Sequence, residues 1–303
     1  MMRRLLVGPL ALATLVGCPA PEGSDVGTSE ASGTSGATSV PTTGVADSST
    51  GDPCAPGERS VLDRPDDVEG PQVHVVFARP VDQEDRELDL DGTLAASVAL
   101  WNAWLTEQTG GPALRLDTCG GVLDVTYFEV PRTDAEVAAE DPYIRNVLEA
   151  EMVGAGAIDE DKLYAVYYDG ASTYSCGGGA WPPLIVGRVA ALYLRGEVPG
   201  SPPCLQAFAG EGEAPGYLEF AMLHEILHSL GLAATCAPHS DGAGHTNDTP
   251  KDLLYTGPEP WYPDRLDPDQ DDYYGHGRAD CPDLARSGLL EPMPEAPELP
   301  AGW

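Results

Sequence analysis

Lysine is almost missing from this chain. Lys162 and Lys251 are the only two in 303 residues, and bases number 16 against 49 acids, for a formal net charge of −33. Nucleic acid is thereby excluded as a partner, because binding a polyphosphate needs a basic surface. No C-x-x-C pair occurs among the seven cysteines, which argues against a thiolate–zinc cluster. No apolar run approaches the roughly 20 residues that a membrane-spanning helix requires. No internal repeat is visible. The excess of acid fits solubility outside the cell or affinity for divalent cations, and by itself identifies no substrate.

What is present begins with a destination. Residues 1–4 are short and basic, and residues 5–16 are apolar, the right length for the core of an export signal. They close on Leu15-Val16-Gly17-Cys18, which resembles a bacterial lipobox. That resemblance implies a signal peptide over residues 1–17, cleaved before Cys18, which then carries a lipid. The chain is therefore expected to be exported and membrane-anchored, in the periplasm or at the cell surface. Residues 18–53 are mostly Ser, Thr, Gly, Ala, Pro and Val. They cannot bury enough apolar surface to offset their ordering entropy and are expected to form a flexible tether. Residues 54–303 are then one domain, long enough for a genuine core. Beyond Cys18 six cysteines remain, and an even number in an exported chain suggests three disulfides; their pairing stays open among 15 possibilities.

Along that domain, residues 72–78 alternate and are rich in β-branched types, predicting a strand. Asp91 is expected to cap a helix over residues 92–108, with Leu94, Val98, Trp101 and Leu105 at helical spacing. Residues 114–117 and 122–130 read as two strands around a Cys119-Gly120-Gly121 turn. Thr133 and Glu136 have capping-box form, opening a helical stretch that Pro142 interrupts and that resumes to residue 152. Residues 163–168 read as a strand, residues 170–188 as a glycine-rich loop, and residues 189–194 as a short strand near the sheet edge. A proline-rich loop over 196–215 precedes a helix over 216–230.

That last helix carries His224-Glu-Ile-Leu-His228. Residues four apart share one helix face, so His224 and His228 can present two imidazoles to one metal ion, with Glu225 close enough to act on a water there. Gly231 ends the helix, where a left-handed conformation costs glycine little.

HEILHSLG resembles the metzincin clan of zinc endopeptidases, whose motif is HExxHxxGxxH or ends in Asp. His224, Glu225, His228 and Gly231 match; the next ligand position holds Ala234, which cannot bind a metal. A catalytic zinc wants three protein ligands and an open fourth place, so the third must come from elsewhere. In matrixin-type members the third histidine is followed about eight residues later by a Met-turn. Asp252-Leu-Leu-Tyr255 is similar to that turn, with Leu254 in place of methionine. His245 lies nine residues before Leu254 and His239 fifteen before it. The family loop would then carry an insertion ending at His245, pinned by Cys236, with His239 the alternative third ligand. A leucine of similar volume can fill the methionine's place. Tyr255 is either a group that stabilises an oxyanion or a core tyrosine, and His276 is a weaker metal candidate.

The resemblance implies a fold of the α+β class, zincin or metzincin-like: a mixed twisted sheet, an active-site helix and a loop-rich C-terminal part, stapled by disulfides. It implies a Zn2+-dependent peptidase acting on protein or peptide substrates through a zinc-activated water, with Glu225 as general base. The rival expectations are a zinc amidase acting on cell-wall substrates and a surface binding protein with a structural or degenerate metal site. Farther on, Asp267, Asp269 and Asp271 alternate like the start of a Ca2+ loop, although Asp272 stands where an EF-hand needs glycine and Arg278 where it needs an acid.

Overall fold

The central strands bury both faces, and their alternation sorts side chains into two cores. In the computed structural model, which describes residues 54–303 other than 56, 200–203 and 211, the chain opens with β1 (Gln72–Pro80) and α1 (Thr93–Thr109). Short strands β2 (Ala113–Leu114), β3 (Thr118–Cys119) and β4 (Val122–Leu123) lead to β5 (Val125–Val130). Helices α2 (Asp134–Ala138) and α3 (Ile144–Gly154) precede β6 (Lys162–Tyr168), β7 (Gly177–Trp181), β8 (Ile185–Tyr193) and α4 (Tyr217–Ser229). After α4 regular structure is sparse, a 3-10 turn at Leu284–Arg286 and β9 (Leu290–Glu291). The expected leader, the lipid-carrying Cys18 and the tether lie outside the described residues. Among the described residues no helix is long and apolar enough to cross a membrane.

Five strands form one mixed sheet in the order β5-β1-β6-β8-β7. The first four run parallel, and β7 closes the sheet antiparallel to β8. Val73, Val75, Phe77, Leu163, Ala165 and Tyr167 face α1 and α4 on one side. Val76, Ala78, Tyr164, Val166 and Tyr168 face α2 and α3 on the other. This is an α+β fold with a mixed sheet, few helices and a loop-rich C-terminal part.

Several sequence expectations are refined. Thr133 and Glu136 form the expected capping box. Asp91 does not occupy the cap of α1; Gly92 does, and Asp91 Oδ1 instead accepts the Thr93 amide at 2.9 Å. The strands expected over 114–117 and 122–130 break into β2 to β5, because β2 leaves to pair with β9 while β3 and β4 make a separate hairpin. The glycine-rich stretch read as loop contains β7. The strand placed near the edge is longer, spans Ile185–Tyr193, and lies one position inside it. Glycine is poor in strand propensity, which hid β7; a hairpin partner and a helix packed on it override the propensity.

Three disulfides join Cys54 to Cys119, Cys176 to Cys204 and Cys236 to Cys281. They fit an extracytoplasmic destination.

One of the two lysines holds the start of the sheet. Lys162 Nζ donates to Asp63, Asp66 and Asp117 at 2.7 Å each, and Asp117 is fully buried. Burial pushes the Asp117 carboxyl up, yet hydrogen bonds from His74 and Lys162 outweigh it and hold it below the usual range. A depressed carboxylate contributes stability at neutral pH that is lost as pH falls through its folded value. Lys162→Met strands Asp117 without a cation beside it, and removing one partner of a buried pair costs about 3–5 kcal/mol. The expected outcome is a melting temperature lower by about 10 °C at pH 7. The deficit should shrink in acid as Asp117 protonates, which thermal denaturation across pH checks.

Candidate metal centre

Helix α4 is built to be held firmly at both ends. Glu219, fully buried, accepts the Gly216 amide at 2.9 Å and so satisfies one free N–H of the first turn. At the other end Gly231 adopts φ +75°. The Gly231 amide reaches His228 O at 2.8 Å and the Leu232 amide reaches Leu227 O at 3.3 Å, the two bonds of a Schellman closure. A β-carbon at Gly231 would also lie 3.0 Å from the Pro182 carbonyl oxygen, so the position needs glycine for space as well as for conformation.

His224 and His228 project from one face of α4, as their spacing predicts, and the loop after the helix returns His245 to them. His228 Nε2 lies 2.9 Å from His224 Nε2 and 3.2 Å from His245 Nε2. His224 Nδ1 donates to the Leu253 carbonyl at 2.7 Å, which fixes its tautomer and leaves Nε2 a bare lone pair. Asp241 Oδ2 stands 3.5 Å from His245 Nδ1. Trp261 packs edge-on against His224, with ring centroids 5.7 Å apart.

Desolvation dominates the electrostatics. Burial, with repulsion from His245 added, pushes His224 down to about 3, and burial with repulsion from both partners pushes His228 well below its ordinary value. Burial pushes the Glu225 carboxyl up to about 8, against a hydrogen bond from the Gly179 amide; its Oε2 has no partner among the described residues. His224 and His228 are thus neutral at pH 7, the state in which histidine ligates a metal.

These residues fit a divalent metal. A hydrogen shared between two rings can satisfy one N···N approach, and a third ring nitrogen turned to the same point calls for a cation between them. Tetrahedral zinc with bonds of about 2.0–2.1 Å holds its nitrogens about 3.3 Å apart, close to the spacing seen.

Other sequence candidates lie elsewhere. His239 does not reach this cluster. Its amide and Nδ1 donate to Asp272 at 2.8 and 3.0 Å, and that bond raises its pKa. His276 sits against the Pro282 carbonyl. Leu254 is fully buried. Tyr255 is buried as well, with its hydroxyl 3.4 Å from the Glu259 amide. Asp269 and Asp271 do not join Asp267; Asp252 and Asp272 do.

Sequence reasoning missed the part played by β7. A β-carbon at Gly177 would come within 2.7 Å of Glu225 Oε1, and one at Gly179 within 2.5 Å of Glu225 O and 2.7 Å of His228 Cβ. Glycines two apart face the helix together, so the run Gly177-Gly-Gly179 is what lets the edge strand lie directly on the motif. Gly244 does the same from the loop, at φ +95° and with its β-carbon position 2.9 Å from His228 Nδ1. The period-two glycine spacing was the available signal. The Leu253 carbonyl had none, since a backbone acceptor leaves no mark on sequence.

No protein-family model matches the chain, and no curated protein does. Among solved structures, catalytically inactive OgpA from Akkermansia muciniphila, in complex with the O-glycopeptide substrate glycodrosocin, is similar at a TM-score of 0.32 and 14% identity. The match covers 58% of this chain and 51% of that one, so this chain spans about half of that structure. A likeness so distant carries no structural argument.

Two outcomes follow from the packing and the charge. Gly179→Ala should cost about 1–3 kcal/mol by forcing β7 off α4, seen as a melting temperature lower by several degrees. In chelator-treated protein, Glu225 binds a proton in the folded state between its ordinary value and about 8, so it withdraws stability as pH rises through that window. Glu225→Gln should therefore melt higher than the parent, with a gap that widens from pH 5 to pH 8 and then levels. A gap that narrows with pH would refute the raised carboxyl. The depressed histidines act oppositely, and both proteins should lose stability below about pH 6.5.

Proposed function

We propose that the chain is an extracytoplasmic zinc-dependent peptidase of metzincin-like design, with His224, His228 and His245 as metal ligands and Glu225 as general base. The observation that carries this reading is the convergence of the His224, His228 and His245 imidazole nitrogens beside the Glu225 carboxyl, one oxygen of which is buried without a partner among the described residues.

A bound zinc ion supplies Lewis acidity, lowering the pKa of a water toward neutrality and polarising a carbonyl. The chain's own groups do the rest. Leu253, through its carbonyl, keeps the His224 proton on Nδ1 and so keeps Nε2 free to ligate. Asp241 holds the main chain at His245, accepting its amide at 3.1 Å. The Glu225 carboxyl, pushed up to about 8, has the affinity to accept a proton from the attacking water and return it to the leaving amine. A neighbouring dication would lower that value, keeping the carboxylate ionised at neutral pH. Strand β7 ends the sheet beside Glu225, so an extended peptide laid along that edge passes the base; strand addition is a common mode of peptide capture. Tyr255 is proposed as core packing, since its hydroxyl faces the Glu259 amide.

Metal analysis of purified full-length protein should find about one zinc per chain. His245→Ala should weaken zinc binding by more than about 100-fold, and His239→Ala by less than about 10-fold. Glu225→Gln should keep its zinc and lose about 10²–10⁴ of the cleavage rate on casein or a quenched-fluorescence peptide library. Equal effects at His245 and His239, or undiminished cleavage by Glu225→Gln, would defeat the assignment.

A further inference from the structure

Thirty residues beyond the helix a second group of carboxylates meets where water is excluded. Asp252 is fully buried, Asp267 is 6% exposed and Asp272 is 1% exposed, and each offers an oxygen within 4.8 Å of the others. None of the three has a lysine or arginine partner among the described residues, and only Asp272 has a basic partner, in His239. Buried carboxylates elsewhere in this protein are treated differently. Asp117 receives Lys162, and Asp169 receives both Arg86 and Arg195.

The donors that do reach this group hold it in place without neutralising it. Asp267 Oδ2 accepts the amides of Asp272, Tyr273 and Tyr274, at 3.2, 2.8 and 2.8 Å. Asp252 Oδ1 accepts the Leu254 amide at 2.6 Å and the Tyr273 hydroxyl at 2.8 Å. Asp272 takes the His239 amide and ring. Two oxygens are left over: Asp252 Oδ2 and Asp267 Oδ1 are buried with no hydrogen-bond partner. An unpaired buried carboxylate oxygen is costly, and two of them in one cluster call for a shared positive charge.

We propose that Asp252, Asp267 and Asp272 bind a calcium ion that clamps the insertion carrying His245. Calcium suits an all-oxygen set of irregular geometry, whereas magnesium demands near-octahedral ligation and retains several waters. The residues are not the alternating Asp267, Asp269 and Asp271 set suggested by spacing. The chain path brings Asp252 and Asp272 to Asp267 instead. The rival occupant is a proton, since burial, with repulsion from Asp267 and Asp248, pushes Asp252 up to about 8.

The position gives the ion a task. Asp252 immediately precedes Leu253, whose carbonyl receives His224, and Leu254, whose carbonyl receives the Thr246 amide beside His245. Asp272 holds His239 within the inserted loop. An ion shared by Asp252, Asp267 and Asp272 therefore ties together the two segments that orient His224 and His245. This consequence rests on the zinc reading; the calcium site itself does not.

The test uses full-length protein as purified, stripped with EGTA and then titrated with CaCl2, with MgCl2 in parallel. Equilibrium dialysis with radioactive calcium should find one ion per chain. Saturation at about 100 times the dissociation constant should raise the melting temperature by about 5–10 °C, with magnesium giving much less. Asp252→Asn keeps the acceptor for Leu254 and Tyr273 and removes the charge, so it should fold, melt in EGTA at or above the parent, and lose the calcium response. Asp267→Asn should also lose the response and serves should the first variant fold poorly. His245→Ala should retain the calcium shift, which separates this site from the zinc centre. A parent protein that binds no calcium while holding its zinc, or a shift unchanged in Asp252→Asn, would overturn the proposal and leave the zinc reading standing.

Discussion

Three imidazole nitrogens held near 3 Å in a dry place are the constraint to which the surrounding structure answers. Ring nitrogens in that arrangement repel where two lone pairs meet, and two protonated rings would repel more. The arrangement persists because each ring is fixed from behind: His224 by the Leu253 carbonyl, His228 by its place on a doubly anchored helix, His245 by the loop around Asp241. Each support belongs to a different segment. The centre is therefore a meeting of α4, the insertion and the 252–255 turn, and its geometry is only as firm as the joints between them.

Those joints explain features that have no catalytic chemistry. The Cys236–Cys281 disulfide closes a stretch of 45 residues that contains His239, His245, the 252–255 turn and the acidic loop. A closed loop has fewer unfolded conformations to lose, which matters most where regular structure is sparse. The glycines of β7 remove every side chain that would stand between sheet edge and helix, so the main chain of the edge strand contacts Glu225 directly. Trp261 packs edge to face against Tyr217 and Phe220 of α4.

Much of this was legible in residue patterns. The β1 alternation, the Thr133–Glu136 cap and the HExxH spacing are local signals, and each appears where its pattern places it. The count from Leu254 back to His245 also picked out the histidine that lies with His224 and His228, because a turn and a residue separated by few positions keep their relation through an insertion. The illegible parts are all non-local. Disulfide pairing depends on chain path; β7 was hidden because glycine lacks strand propensity and only packing compels it to pair. Likewise Asp267 read with its sequence neighbours suggested one loop, whereas its partners Asp252 and Asp272 arrive by tertiary folding.

The charge balance links these observations. Acids outnumber bases 49 to 16, and some buried carboxylates, Asp252 and Asp267 among them, have no lysine or arginine beside them among the described residues. Where a base is near, it is used heavily: Lys162 serves three aspartates, and two arginines converge on Asp169. Beyond reach of those bases a buried acid has two remaining means of neutralisation, a proton or a metal ion. Glu225 and Asp252 are both pushed up to about 8 for that reason, yet they sit differently. Glu225 has no second carboxylate in its cluster among the described residues and stands beside imidazoles. Asp252 stands against two further carboxylates, where one proton relieves only part of the repulsion and a divalent ion relieves more. Scarcity of lysine, the first property met in the sequence, thus has a structural counterpart: buried carboxylates such as Asp252 and Asp267 keep oxygens that no side-chain cation meets among the described residues.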